Sequence, residues 1–171
     1  MPIPSIIPSC LLALLVSTAM APVEAVTRST FENAVGSCNG ALPGFEGALR
    51  KRPLAIANEG TSNAIVSCTL AIDQTQSEGN AIVGVVLINR SAQLVAVSCT
   101  FVDGSAPEVP GPIPPTYYVE NIALAAGEGN SLLWQAADHG LTTFSVLGST
   151  SCSLPPGVEI AAMLNVYDDG T

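Results

Sequence analysis

The chain has 171 residues, a formal net charge of −9, 48% hydrophobic residues, 11% charged and 5% aromatic. So much apolar residue with so few charges excludes an intrinsically disordered chain. Five Lys and Arg against fourteen Asp and Glu exclude a protein that holds nucleic acid by neutralising phosphates. The length fits one domain with a core of its own.

In chain order, residues 6–21 come first, an apolar run interrupted only by Pro8, Ser9, Ser17 and Thr18. Val23-Glu24-Ala25 follows, with the small or apolar residues that a signal peptidase reads. Cutting after Ala21 would leave Pro22 next in line, so cleavage is expected after Ala25. Residues 1–25 are then a signal peptide and 26–171 a single domain. The leader has no Lys or Arg at its start; the competing reading is an uncleaved anchor, for which the run is short. Cys10 precedes the apolar core, unlike a lipoprotein cysteine. No later segment has the unbroken apolar length of a transmembrane helix, so the mature chain is expected to be secreted or periplasmic.

Loss of the leader removes Cys10 and leaves Cys38, Cys68, Cys99 and Cys152. An even number in an exported domain reads as two disulfides, with three possible connectivities. A thiolate metal site would want C-x-x-C pairs, and the gaps here are 30, 31 and 53 residues. Cys38–Cys68 with Cys99–Cys152 is the favoured pairing: Cys38 would pin a loop-like segment, and Cys152 would clip the turn before the last strand.

Further along, period-2 alternation dominates. Ala64, Val66, Cys68, Leu70 and Ile72 share one face within 63–73; Val95, Val97, Cys99 and Phe101 do so within 93–103. Val158, Ile160, Ala162, Leu164 and Val166 give a third inward stripe. Residues 81–88 form a Val/Ile/Leu run broken only by Gly84, as in a central strand covered on both sides. Residues 54–57, 117–124, 131–135 and 142–147 are further strand candidates, separated by Gly-, Asn- and Ser-rich turns. About eight strands without a convincing amphipathic helix predict an all-β, jelly-roll-like antiparallel β-sandwich, with a small barrel as the alternative. Val66-Ser67-Cys68-Thr69 recurs as Val97-Ser98-Cys99-Thr100 and is echoed at Ser151-Cys152-Ser153. Since the flanks differ, the recurrence reads as strands with similar packing needs.

Candidate chemistry is sparse. His139 sits in Asp138-His139-Gly140, and a hydrolase would couple it to a serine. No nucleophile elbow is present, and the tripeptide reads as a turn. No catalytic residue, metal site or cofactor site is therefore assigned. Arg50-Lys51-Arg52 is the single basic cluster, either a contact for an anionic polysaccharide or lipid head group or a solvated guard on an edge strand. All eight ionisable side chains of Asp, Glu, Lys and Arg after Arg90 are acidic, and only Asp168-Asp169-Gly170 comes near a calcium-loop pattern. The prolines at 107, 110, 112, 114 and 115 make a stiff extended loop. Trp134, Tyr117, Tyr118 and Tyr167 are the available aromatic platforms for a sugar, and Asn89-Arg90-Ser91 fits the N-glycosylation pattern.

Two stretches, Arg52-Pro53-Leu54-Ala55 through Asn58-Glu59-Gly60-Thr61-Ser62-Asn63 to Val66-Ser67-Cys68, and Ser151-Cys152-Ser153-Leu154-Pro155-Pro156-Gly157 to Tyr167-Asp168-Asp169-Gly170, resemble a group of small exported bacterial proteins. The resemblance implies export and a disulfide-bonded β-sandwich, and carries over no catalytic residue. The expected function is a non-enzymatic structural or ligand-binding module at or beyond the cell envelope. A subunit of a surface assembly is the alternative, and a hydrolase using His139 a further one. Its partners are open: no nucleic acid is expected, whereas an envelope component or self-association is possible.

Overall fold

A computed structural model describes residues 26–70, 79–105 and 113–168. The expected signal peptide, Pro107, Pro110, Pro112, Asp169 and Gly170 lie outside the described residues. Eleven strands lie within them: β1 (Thr27–Asn33), β2 (Cys38–Gly40), β3 (Leu49–Arg52), β4 (Ala55–Asn58), β5 (Ala64–Thr69), β6 (Asn80–Asn89), β7 (Val95–Asp103), β8 (Thr116–Leu124), β9 (Gly129–Gln135), β10 (Gly148–Leu154) and β11 (Val158–Asp168). Two one-turn helices, α1 (Ala34–Ser37) and α2 (Pro43–Glu46), and a 3-10 turn at Ala136–His139 complete the described elements.

The strands form an antiparallel β-sandwich. Sheet A runs β3-β4-β11-β6-β9, with β1 also paired to β11, and sheet B runs β2-β5-β10-β7-β8. Position by position, the two orders match strands that are consecutive in the chain: β3 with β2, β4 with β5, β11 with β10, β6 with β7, β9 with β8. Each matched pair is joined by a short arch that carries the chain from one sheet to the other. Backbone hydrogen bonds tie the five arches into a row at one end of the sandwich. Glu59 N donates to Ala48 O (2.9 Å), Gly157 N to Asn58 O (2.8 Å), Arg90 N to Gly157 O (2.8 Å), and Asn89 N to Glu128 O (2.8 Å).

Two fully buried asparagines close this row. Asn58 Nδ2 donates to Ser62 O (2.9 Å) and to Leu154 O (2.7 Å), and its Oδ1 accepts from Gly60 N (2.9 Å). Asn89 repeats the pattern with Gln93 O (2.7 Å) and Ser91 N (2.9 Å), and also reaches Leu124 O (3.0 Å) and Ala125 O (2.9 Å). A primary amide supplies two donors and an acceptor at one point. That suits a bend where carbonyls of two arches converge out of reach of water. The recurrence seen in the sequence thus extends back to these asparagines, 31 residues apart like the cysteines that follow them. The three Ser-Cys strands, β5, β10 and β7, are neighbours in sheet B.

The pairing of the cysteines is Cys38–Cys68 and Cys99–Cys152. Each bridge joins directly opposed residues, β2 to β5 and β7 to β10, on the inward face of sheet B. Cys38 therefore lies in a short edge strand rather than a loop, and Cys152 in the middle of the central strand of its sheet rather than in a turn. Both staples work within one sheet; the two sheets are held to each other by packing of Ile56, Val83, Val85, Leu87, Trp134 and Ile160 against Val66, Val97, Phe101 and Leu154.

Other expectations need correction. Eleven strands replace about eight, because β1, β2, β3 and β10 are too short or too polar to show an apolar stripe. Residues 142–147 form no strand; Phe144 makes a single bridge to Asn80, whose Nδ2 also holds Ser145 O at 2.6 Å. The inward stripe of β11 switches partway. Ile160 opposes Leu87 and Ala162 opposes Val86, so Ala161 is an extra residue and the alternation inverts. Met163 and Tyr167 are buried instead, and Ala162, Leu164 and Val166 turn to the outer face.

Candidate functional site

The arches create a cleft of about 530 Å³ at the end of sheet A, within the range of small-molecule sites. Its floor is Ala55 and Ala57 of β4 with Glu159 of β11; its walls are Pro53 and Leu54, Arg52 and Glu59 on one side, and Arg90 and Gly157 on the other. Period-2 alternation on β3 splits the basic triplet. Lys51 points away and donates to Asn39 Oδ1 (2.8 Å). Arg50 and Arg52 turn to the opposite face and pair with Glu59, Arg52 through Nη2 to Oε1 and Arg50 through Nε to Oε2 at 3.9 Å. β3 ends its sheet, so the triplet lies on an edge, and of the three only Arg52 lines the cleft.

Arg90 comes to the same cleft from the arch after β6. Its Nε donates to Glu159 Oε1 at 2.9 Å, and its Nη2 lies 2.9 Å from the same oxygen as an ion pair. Glu159 is only 8% exposed and Arg90 62%, so the buried carboxylate fixes the guanidinium while leaving its outer edge in solvent. Glu59 and Arg90 each follow a buried asparagine, Asn58 and Asn89, and so occupy equivalent positions in the two arches. The site accordingly stands on backbone tied from arch to arch by hydrogen bonds. Gly157, at φ 77°, is needed there: a Cβ would stand 3.0 Å from Cβ of Ser91.

The cleft opens onto the outer face of sheet A. Directly opposed residues share a face. Glu159 lies beside Ile88, Ala162 beside Val86, and Leu164 beside Gly84, with Phe31 and Leu133 at the two ends of the last row. Phe31 is 67% and Leu133 41% exposed; Ile88, Val86, Leu164, Val166 and Ile82 are partly exposed. Residues 81–88, expected to be covered on both sides, thus owe their continuous apolar character to this open face. Gly84 lets Leu133 and Leu164 close over it, since a Cβ would come within 2.5 Å of Leu133 Cδ2.

The other candidates disperse. The His139 ring packs on Tyr118 at 4.4 Å and Phe144 at 6.0 Å, while the Ser145 hydroxyl donates to Asp103. Trp134 and Tyr167 are buried, Tyr118 stacks on Phe101, and Tyr117 stands exposed on the outer face of sheet B, so the four aromatics make no shared platform. Asn89 is buried with its amide fully engaged, which closes its glycosylation pattern in the folded protein. Asp168, the described member of the calcium-like triplet, ends β11 opposite Thr27; no group of three or more metal-ligating side chains occurs among the described residues. No helix among the described residues is long and apolar enough to cross a membrane. Sequence reasoning reached Arg52 but missed Arg90 and Glu159, whose partnership spans 69 residues and leaves no local signal. No protein-family model matches the chain, and no curated protein matches it.

Proposed function

We propose that the chain is an exported, non-enzymatic binding module whose recognition site is the cleft at the row of arches. The observation that carries this reading is the pair of guanidinium groups, Arg52 and Arg90, lining one cleft with Ala55 and Ala57 and held by Glu59 and the buried Glu159. Preorganised charge on rigid backbone, with an apolar floor, is the composition of a small-ligand site. The arrangement favours binding over catalysis, because the one imidazole lies in the turn after β9, packed on aromatic rings and paired with no hydroxyl nucleophile. Export is supported by the leader pattern and by two disulfides, which persist in oxidising compartments.

The test is native mass spectrometry of the oxidised protein after incubation with small molecules and lipids extracted from its own envelope fraction. The expected result is a retained small molecule that Arg52→Gln releases and that Tyr117→Ser, on the far face, keeps. A species retained equally by both variants overturns the reading. So does a defined oligomer in light scattering whose contacts bury the cleft, which would favour the assembly-subunit alternative.

A further inference from the structure

We infer that β1 is a self-pairing edge: two copies of the chain join through it, antiparallel, about a two-fold axis at Thr30, so that sheet A of one copy continues into sheet A of the other. This surface is separate from the cleft, none of whose lining residues belongs to β1.

β1 differs from the other sheet edges. Among the described residues its one strand partner is β11, along an unbroken register from Thr27–Asp168 to Asn33–Ala162. Its other side is a strand edge seven residues long with no second ladder on it, the template on which a further strand adds. β2 has only three residues, and three of the four in β3 are basic. The β8 and β9 edges are tied to each other where Trp134 Nε1 donates to Tyr118 O (3.0 Å). Short length, charge and covering are ways in which an edge is kept from pairing. β1 has no Lys, no Pro and no bulge, and its one Arg and one Glu cancel.

The side chains specify the strand that fits there. Arg28, Thr30 and Glu32 lie opposite Tyr167, Asn165 and Met163 and share the inward face with them, while Ser29 and Phe31 take the outer face. Pairing all seven residues of β1 with a second β1 sets Thr30 opposite Thr30. Arg28 then faces Glu32 of the second copy, and Glu32 faces its Arg28, so one register makes two pairs of opposite charge. A shift of two residues in either direction loses both. With a net charge of −9, two copies repel each other at large, and β1 is a neutral, self-complementary strip on which they can meet.

Thr30 and Phe31 agree with this register. Oγ1 of Thr30 is buried and has no hydrogen-bond partner, which is rare for a buried hydroxyl. On the two-fold axis it meets a second threonine hydroxyl, a contact that cross-strand threonines make. Phe31 is left 67% exposed, and here it lies diagonal to Phe31 of the second copy, within aromatic reach. No residue of β1 belongs to the hydrophobic core, so its side chains can be exchanged without opening the core.

The experiment weighs the oxidised protein by light scattering over a range of concentrations, with hydrogen exchange on the same samples. A dimer is expected as concentration rises, with exchange slowing within residues 27–33. Arg28→Glu and Glu32→Arg each set like charges opposite one another twice, and each should raise the dissociation constant roughly tenfold. Mixing the two variants should restore a dimer, because every opposed pair is again of opposite sign. Both exchanges in one chain should restore it too, and this variant decides the matter if a single one fails to fold by circular dichroism. A protein that stays monomeric at millimolar concentration overturns the inference. So does a dimer that both single variants leave intact, or the absence of a mixed dimer from folded, monomeric variants. In the unaltered protein, protection that rises with concentration outside residues 27–33 but not within them overturns it as well.

Discussion

Across the middle of sheet B the outward residues are Asn39, Ser67, Ser151, Thr100 and Val119; across sheet A they are Phe31, Leu164, Gly84 and Leu133. Sheet B also holds both disulfides on its inward side, and sheet A holds none. One sheet is stapled and presents hydroxyls across most of its middle, with Tyr117 and Val119 exposed along its β8 edge. The other relies on packing and on the arches, and presents aliphatic carbon. In a single small domain that division puts the covalent staples in one layer and leaves the other to be held in register by packing and by the arches.

The division can be broken at its strongest point, the arch row shared by both sheets. Asn89→Asp replaces donors aimed at the carbonyls of Gln93, Leu124 and Ala125 with a buried negative charge. A loss of more than about 3 kcal/mol is expected in denaturant unfolding of the oxidised protein. Asn58→Asp faces two carbonyls and should cost less. If both are tolerated, the row does not hold the sheets. Next comes sheet B alone. Replacing Cys99 and Cys152 by Ala should cost about 2–4 kcal/mol, and replacing Cys38 and Cys68 slightly less, because the 53-residue loop exceeds the 30-residue one. The same unfolding curves measure both, and equal stability of the reduced and oxidised protein would remove the distinction between the sheets. The smallest effect sharpens the comparison of surfaces. Leu133→Thr on sheet A and Ser151→Val on sheet B should each change stability by no more than about 0.5 kcal/mol. Only the first should lower the fluorescence of a dye that binds apolar surface. An equal response from the two variants would mean that the faces do not differ in function.

Much of the scaffold was legible from sequence. β5 and β7 show clean alternation with cysteine on the apolar side, which marked both strands and put Cys68 and Cys99 in the core. The pairing of the bridges was expected from a loop at Cys38 and a turn at Cys152, where strands stand instead. What escaped is physical in origin. The bulge at Ala161 lies within Ile160-Ala161-Ala162, where small residues suit either face and alternation carries no mark of the inversion. Edge strands such as β3, Leu-Arg-Lys-Arg, are held by backbone pairing rather than by an apolar stripe. The open face of β6 reads like a doubly covered strand because aliphatic residues look alike in sequence whether they face the core or lie half-exposed. Of the cleft, only its basic strand was visible; the Arg90–Glu159 pair exists only after β6 and β11 are aligned.

The positions of the last two strands have a consequence for how the chain acquires its structure. β10 is the centre of sheet B, between β5 and β7, and β11 joins β4, β6 and β1 in sheet A. Until residues 148–168 are available, the earlier strands can form only separate ladders: β3 with β4, β2 with β5, β6 with β9, and β7 with β8. Such isolated pairs are marginal in water. Cooperative folding therefore waits for β10 and β11, and the chain stays largely open until both have been made.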